Sequence, residues 1–157
     1  FTGGGASCRF DASQTGFAAA TMAPPAGQTL PQGMFRFRLI GCDSGSTVTM
    51  SITWPQPVTG YTKHGMAQAG ATQASYFAPT GLSINGNTVT FTVQDGGLGD
   101  DDWAPNGTIV DPSMPMAAVA TPVPTLGAWG VLLLGLMAAA LAGRSVRQLA
   151  RGARTRT

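Results

Sequence analysis

Three segments of the chain alternate between hydrophobic and polar positions over most of their length. They are residues 34–40, 47–54 and 88–94, and their apolar members are Phe35, Phe37, Leu39, Val48, Met50, Ile52, Trp54, Val89, Phe91 and Val93. Successive side chains of a strand point to opposite faces, so this period of two predicts strands with one buried face and one wet face. Antiparallel sheets have this property.

Turn signals and weaker strand candidates separate these segments. The Asn85-Gly86 step suits a tight hairpin that leads into the strand at residues 88–94. Residues 8–11, 75–78 and 108–110 are weaker strand candidates, and no helical stripe occurs before residue 126. The pattern predicts an all-β fold for residues 1–112, a small antiparallel β-sandwich. The glycines at residues 3–5 indicate a flexible start of the chain, and residues 113–122 are predicted to be a proline-rich linker.

The C-terminal part of the chain has a different pattern. Residues 126–142 carry no charge and are rich in Leu, Ala and Val. A helix of this length spans about 25 Å, close to the thickness of a membrane's hydrocarbon core. We therefore predict one transmembrane α-helix at about residues 126–143, with Trp129 at its rim. The alternative is a buried core helix in a soluble protein.

Charge is distributed unevenly between the two parts. Residues 1–122 hold four basic and seven acidic side chains, a net charge of −3, whereas residues 123–157 hold five basic side chains and no acid. The five are Arg144, Arg147, Arg151, Arg154 and Arg156. Because basic residues flank membrane helices on the cytoplasmic side, residues 144–157 are predicted to be a cytoplasmic tail and the β-domain to lie outside the cytoplasm. Membrane lipid is the expected partner of this part, and the whole chain's small net charge gives no reason to expect a nucleic acid.

The order of elements in residues 123–157 resembles a known sorting signal. Val123, Pro124, Thr125 and Leu126, then Trp129 and Gly130, precede the apolar helix and the arginine cluster. This arrangement is similar to the IPTL-CTERM signal of Gram-negative bacteria, with Val123 in place of the family's isoleucine. The resemblance implies recognition by a membrane-embedded sorting protease or transpeptidase, cleavage near Pro124, and transfer towards the cell surface. The residues alone do not decide between cleavage and retention.

An acidic, glycine-rich stretch occupies residues 93–112. It contains Asp95, Asp100, Asp101, Asp102, Asn106 and Asp111. Calcium prefers six to eight such oxygen ligands on a sharply turning backbone, so these six residues form a candidate calcium site. The spacing is not that of an EF-hand. The alternative is a hydrated turn in which the aspartates and the asparagine cap their own backbone.

The same stretch resembles the end of a bacterial surface domain. The letters DGG.GDDD and NG.I.DP, together with residues 33–55 and 61–65, are similar to the choice-of-anchor U domain over residues 30–112. The resemblance implies an exported β-domain without assigned enzymatic activity. Asp102-Trp103-Ala104-Pro105 is bulkier than this family leads us to expect.

The cysteines and the N-terminus carry information about the compartment. The chain has two cysteines, Cys8 and Cys42. In an exported domain such a pair predicts a disulfide rather than a metal site, the alternative being two separate buried thiols. Residue 1 is Phe and no apolar leader follows it. We therefore expect either a mature protein whose signal peptide is gone or a fragment.

Catalytic signatures are scarce. His64 is the only histidine, there is no glutamate, and no GxSxG, HExxH or P-loop sequence occurs. The sequence predicts a non-catalytic envelope or surface β-domain that carries a sorting signal, in transit through the inner membrane or retained there. It names no extracellular ligand. The alternatives are a retained bitopic membrane protein that assembles through its helix, and a small exported metal-dependent hydrolase.

Overall fold

The computed structural model describes residues 1–120, 127 and 130–137. The chain divides into two units, Phe1–Val119 and Ala120–Thr157. Within the described residues the first unit is made of strands, whose bounds are β1 Thr2–Gly3, β2 Arg9–Phe10, β3 Gly16–Ala18, β4 Gln28–Thr29, β5 Met34–Ile40, β6 Thr47–Thr53, β7 Tyr61–Gly65, β8 Ser75–Phe77, β9 Thr80–Asn85, β10 Thr88–Gln94, β11 Ile109–Pro115 and β12 Ala117–Ala118. In the second unit, residues 130–137 are helical.

The strands form two main antiparallel sheets. The four-stranded sheet has the order β1-β6-β10-β9. The six-stranded sheet has the order β2-β5-β11-β7-β8, and β3 also pairs with β5. A separate ladder joins β12 to β4. One core cluster contains buried side chains from both sheets, so the unit is a β-sandwich-like fold. The predicted all-β class and antiparallel pairing are confirmed.

The register of β6 and β10 explains why the period of two in the sequence predicted these strands correctly. Val48 pairs with Val93, Met50 with Phe91, and Ile52 with Val89. All six side chains are buried, whereas the threonines and serines between them are exposed or half-buried. Each apolar pair therefore adds its area to the same interior face.

The predicted hairpin between β9 and β10 is confirmed. Thr88 pairs with Asn85, and Gly86 between them has a φ of 60°, a conformation that glycine adopts at little cost. Trp54 N–H donates to the carbonyl of Asn87, and the Asn87 side-chain amide donates to the carbonyl of Trp54. The turn is thereby fastened to the end of β6.

Short polar strands were difficult to predict. The candidates at residues 8–11 and 75–78 appear as β2 and β8, and the one at 108–110 appears as the beginning of β11. The alternation did not indicate β7, because its buried positions besides Tyr61 are Thr62, Lys63 and Gly65 and not large apolar side chains. These strands depend on their neighbours rather than on an apolar face of their own.

The prediction that a linker begins at residue 113 is wrong. Pro112 pairs with Arg36 of β5, Ser113 pairs with both β5 and β7, and Met114 is fully buried. Pro112 has a ladder partner only in β5 and Pro115 only in β7, so their missing N–H groups are tolerated. With β12, the first unit extends past the predicted boundary to Val119.

The N-terminus is also more ordered than predicted. Cys8 and Cys42 form the expected disulfide. The glycine run is not a flexible start, because Gly3 pairs with Val48 and the carbonyl of Gly4 accepts a hydrogen bond from Asp43 N–H. Gly4 has a φ of 83°, and a Cβ there would lie 2.6 Å from the sulfur of Cys8. Glycine is required for this close approach.

Little of the predicted transmembrane span is described. Gly130 N–H and Val131 N–H donate to the carbonyl of Gly127 at the beginning of the helix. Among the described residues, no helix combines the length and the apolar character needed to cross a membrane. The rest of the predicted span, Val123 to Leu126, Trp129 and the five arginines lie outside the described residues.

Candidate functional site

The acidic loop, residues 95–108, connects β10 to β11. Asp95 and Asp100 are buried within it. The backbone N–H groups of Gly45 and Gly107 both donate to Asp95 Oδ2, at 2.9 Å each. Those of Gly96 and Val110 donate to the two oxygens of Asp100, at 2.8 Å and 3.1 Å. The two carboxylates thus close the loop on itself and on the turn before β6.

The outer part of the loop is held in the same way. Ala104 N–H and the Asn106 amide donate to the two oxygens of Asp102, at 2.9 Å and 2.8 Å, and Thr108 N–H donates to Asn106 Oδ1 at 2.8 Å. Trp103, one of the bulky residues of this loop, has a φ of 54°, and its indole N–H donates to the carbonyl of Met66. That bond ties the loop to the segment after β7.

The contacts favour a structural role for these aspartates. Among the described residues, no three His, Cys, Asp or Glu side chains are grouped so that they could hold a metal ion. Four of the six predicted ligands, Asp95, Asp100, Asp102 and Asn106, accept N–H hydrogen bonds, and Asp111 contacts a lysine. The calcium site stays a prediction, and the alternative of a self-capping turn describes the geometry better.

A buried lysine and a buried aspartate meet beneath this loop. Lys63 on β7 and Asp111 on β11 are 1% and 2% exposed, and Lys63 Nζ lies 2.8 Å from Asp111 Oδ2. Nζ also lies 4.6 Å from the centre of the Phe91 ring on the opposite sheet. Gly99 of the acidic loop covers the amine so closely that a Cβ there would be 2.4 Å from Nζ. This pair was not predicted from the sequence.

Burial changes the protonation of the carboxyls around the pair. It raises the pKa of Asp111 to about 6, against the lowering effect of the Lys63 charge, and Asp101 and Asp100 raise it further. Burial likewise raises the pKa of Asp100 to about 6, although its two backbone hydrogen bonds oppose the change. The pKa of Asp101 is raised by burial as well. Three neighbouring carboxyls therefore hold protons more strongly than free aspartate.

A second polar contact continues the strip along the same strands. Tyr61 OH on β7 donates to Ser113 Oγ on β11 at 2.9 Å, and both residues are buried. Burial raises the pKa of this phenol above its usual value. Tyr61, Lys63, Asp111 and Ser113 form what we call the polar strip, a set of four buried polar side chains inside an otherwise apolar core.

The other face of β7 borders an open pocket of about 410 Å³. Its wall includes Arg36, His64 and Asp101. The His64 ring packs edge-on against Tyr76, with ring centres 4.7 Å apart. The pocket brings the single histidine and an arginine near one carboxylate, and it offers a surface for a small polar group.

Comparison with known proteins bears on the C-terminal unit. Residues 121–151 match the family model of the IPTL-CTERM motif. Neither the curated proteins nor the solved structures contain a match to the chain. The chain thus carries a C-terminal sorting signal, which fits a role in surface-protein sorting and a location in the cell envelope or at the surface. The match does not include the β-sandwich, whose resemblance to the choice-of-anchor U domain stays a prediction.

Proposed function

We propose that this chain is a non-catalytic β-domain that a C-terminal signal delivers to the cell envelope or surface. The observation that carries the proposal is the junction between the two units. The compact β-unit ends at Val119, and the matched sorting motif begins two residues later, at residue 121. A cut near Pro124 would therefore release the β-unit with every one of its strands, because the last one, β12, ends at Ala118.

The charge pattern supports a direction of insertion. The apolar residues at about 126–143 would cross the cytoplasmic membrane as a helix, and the five arginines would stay in the cytoplasm. Within the described part of this segment, the helical residues 131–137 are exposed and apolar, as a lipid-facing helix requires. A membrane-embedded protease or transpeptidase of a Gram-negative cell would then act on the outer side.

The contacts of the β-unit support a structural rather than a catalytic role. Asp95, Asp100 and Asp102 of the acidic loop each accept a backbone N–H hydrogen bond, which supports a structural role for these three carboxylates. The disulfide suits an oxidising compartment. We assign residues 30–112 to a choice-of-anchor U type domain on the motif resemblance alone.

Mass spectrometry of the mature C-terminus tests this proposal. The full chain, with an export signal, is produced in a bacterium with the sorting enzyme and compared with a Pro124→Ala variant. Pro122→Ala serves as a matched control, because it changes a nearby proline that precedes the tetrapeptide Val123 to Leu126. We expect the wild type and the control to lose the residues after about Thr125 and to leave the cytoplasmic membrane, and Pro124→Ala to remain uncut in the membrane fraction.

Two other outcomes would replace the proposal. An intact Thr157 in wild-type protein from the membrane fraction would favour the retained bitopic protein, in which the helix is a permanent anchor. Full-length protein in the aqueous fraction without detergent would show that the segment does not enter lipid, and membrane sorting would then be excluded.

A further inference from the structure

The polar strip contains an amine and a carboxyl group in a position to react with each other. Lys63 Nζ lies 2.8 Å from Asp111 Oδ2, which is bonded directly to Cγ, the carbon that the amine would attack. Despite the short distance, neither atom has a hydrogen-bond partner of acceptable geometry among the residues that the structure describes. Groups held within van der Waals contact and free of competing hydrogen bonds resemble reactants in a near-attack arrangement.

We propose that Lys63 and Asp111 condense spontaneously into an intramolecular isopeptide bond that joins β7 to β11. In this reaction the neutral amine of Lys63 attacks Cγ of the protonated Asp111 carboxyl. A C–N bond forms, the C–OH bond breaks, and the hydroxyl leaves as water with one hydrogen from Nζ. Nothing is oxidised or reduced and no co-reactant is needed, so the step balances within the folded chain.

The surroundings of the pair favour the neutral reactants. The ion pair is poorly solvated in an apolar interior, so transfer of the proton from amine to carboxylate costs less than it does in water. Asp100 and Asp101 repel a negative charge on Asp111. The Phe91 ring on one side and Gly99 on the other exclude bulk solvent from Nζ. A dry site also protects the amide product from hydrolysis.

The position of the bond in the fold gives it a mechanical use. β11 is the last long strand before the matched sorting motif, and only the two-residue β12 follows it within the described unit. Tension applied through a C-terminal attachment would reach β11 early. A covalent bond to β7 would keep β11 in the sheet. In the same way, the disulfide joins Cys8, near the beginning of the chain, to Cys42. The proposed chemistry does not depend on the sorting function.

Peptide mapping of the full chain tests the proposal directly. Protein purified in detergent is reduced, denatured and digested with chymotrypsin, and the peptides are identified by tandem mass spectrometry. We expect a branched species that contains the Lys63 and Asp111 peptides and is lighter by one water than their sum. Since Lys63 is the only lysine of the chain, its Nζ is the only lysine amine that could take part. Recovery of both peptides only in unlinked form would overturn the proposal.

Two variants fix the identity of the linked atoms. Lys63→Arg and Asp111→Ala are expected to give no branched species. A branch from Lys63 to Asp100 or Asp101 in the wild-type protein would also contradict the assignment. The wild-type measurement decides the question even if neither variant folds, because it requires only the natural chain.

Discussion

The two sheets of the sandwich present different inward faces. In the four-stranded sheet, β6 and β10 bury six apolar side chains in register: Val48, Met50, Ile52, Val89, Phe91 and Val93. In the six-stranded sheet, β7 and β11 bury the polar strip against them. The first face is apolar, and its burial is favourable without regard to orientation; the second also buries Phe37, Leu39 and Ile109, but its polar strip depends on exact partners.

The two faces should therefore differ in their sensitivity to substitution. An apolar face tolerates small changes in packing and loses free energy in proportion to the atoms removed. A buried amine or carboxyl that loses its partner has no compensating solvent, so the polar strip tolerates much less. Gly99 of the acidic loop covers Lys63 of the polar strip. The loop that holds most of the aspartates therefore shields the part of the core that is most sensitive to substitution.

The largest effect is expected when the polar strip loses one partner. Asp111→Ala leaves Lys63 Nζ buried alone and should lower the free energy of unfolding by about 3–5 kcal/mol, measured by urea denaturation. The double variant Lys63→Met, Asp111→Val replaces the pair with apolar side chains and should recover the part of this loss that comes from the unpaired buried charge, but not the part that comes from a lost cross-link. Equal stability of the single and double variants would contradict the difference between the two faces.

The disulfide connects the places where the chain passes from one sheet to the other. Cys8 lies between β1 and β2, and Cys42 lies between β5 and β6. The Cys8→Ser, Cys42→Ser variant should lose about 3–4 kcal/mol in the chain-entropy model of a loop this long. Wild-type protein measured in a thiol reductant is the matched control and should show the same loss. A denaturation midpoint unchanged in both would show that packing alone holds the sheets together.

The apolar face should respond to loss of volume by a smaller amount. Met50→Ala removes buried atoms opposite Phe91 and should cost about 3 kcal/mol in the free energy of unfolding. Ser51→Ala changes the exposed face of the same strand and should stay within about 0.5 kcal/mol. If Met50→Ala destabilised the protein more than Asp111→Ala, the ranking of the two faces would be reversed.

The last expected effect, no larger than that of Met50→Ala, is a pH dependence from the acidic loop. The pKa of Asp100 is about 6 in the folded protein and 3.8 in a free side chain, so the folded state binds its proton more tightly. Stability from this group is therefore present below pH 3.8 and is lost as the pH rises through about 6. The melting temperature should fall over this interval, and Asp100→Asn should weaken the fall. Asp11→Asn is the control, because the pKa of that exposed carboxyl is lowered and its contribution to stability has the opposite sign. An equal change in the pH dependence of the melting temperature in both variants would refute the role of Asp100.

The sandwich was partly predictable because the period of two along its apolar strands indicates which side chains are buried. A side chain's direction along β6 follows from the period of two, so Val48 and Ile52 were placed correctly without any partner. The disulfide followed from the cysteine count and the expected compartment. Pro112 and Pro115 misled the prediction, since proline excludes a strand only where its N–H would be needed.

The candidate site was less predictable, because its partners are distant in the sequence. Asp95 accepts from Gly107 and from Gly45, which is 50 residues away, and nothing local distinguishes such a cap from a calcium ligand. Nothing in the sequence around Lys63 indicates that β11 brings Asp111 against it. The pairing of sheets decides which charges meet.

The amino-acid sequence by itself determined the β class, the disulfide and the C-terminal sorting motif, because each depends on local periodicity, residue count or a contiguous pattern. Only the tertiary structure decided that β11 continues through two prolines, that the acidic loop caps itself, and that an amine and a carboxyl meet in the core. Those features depend on the burial and register of strands far apart in the chain, and burial is what turns a solvated charge into one that must find a partner.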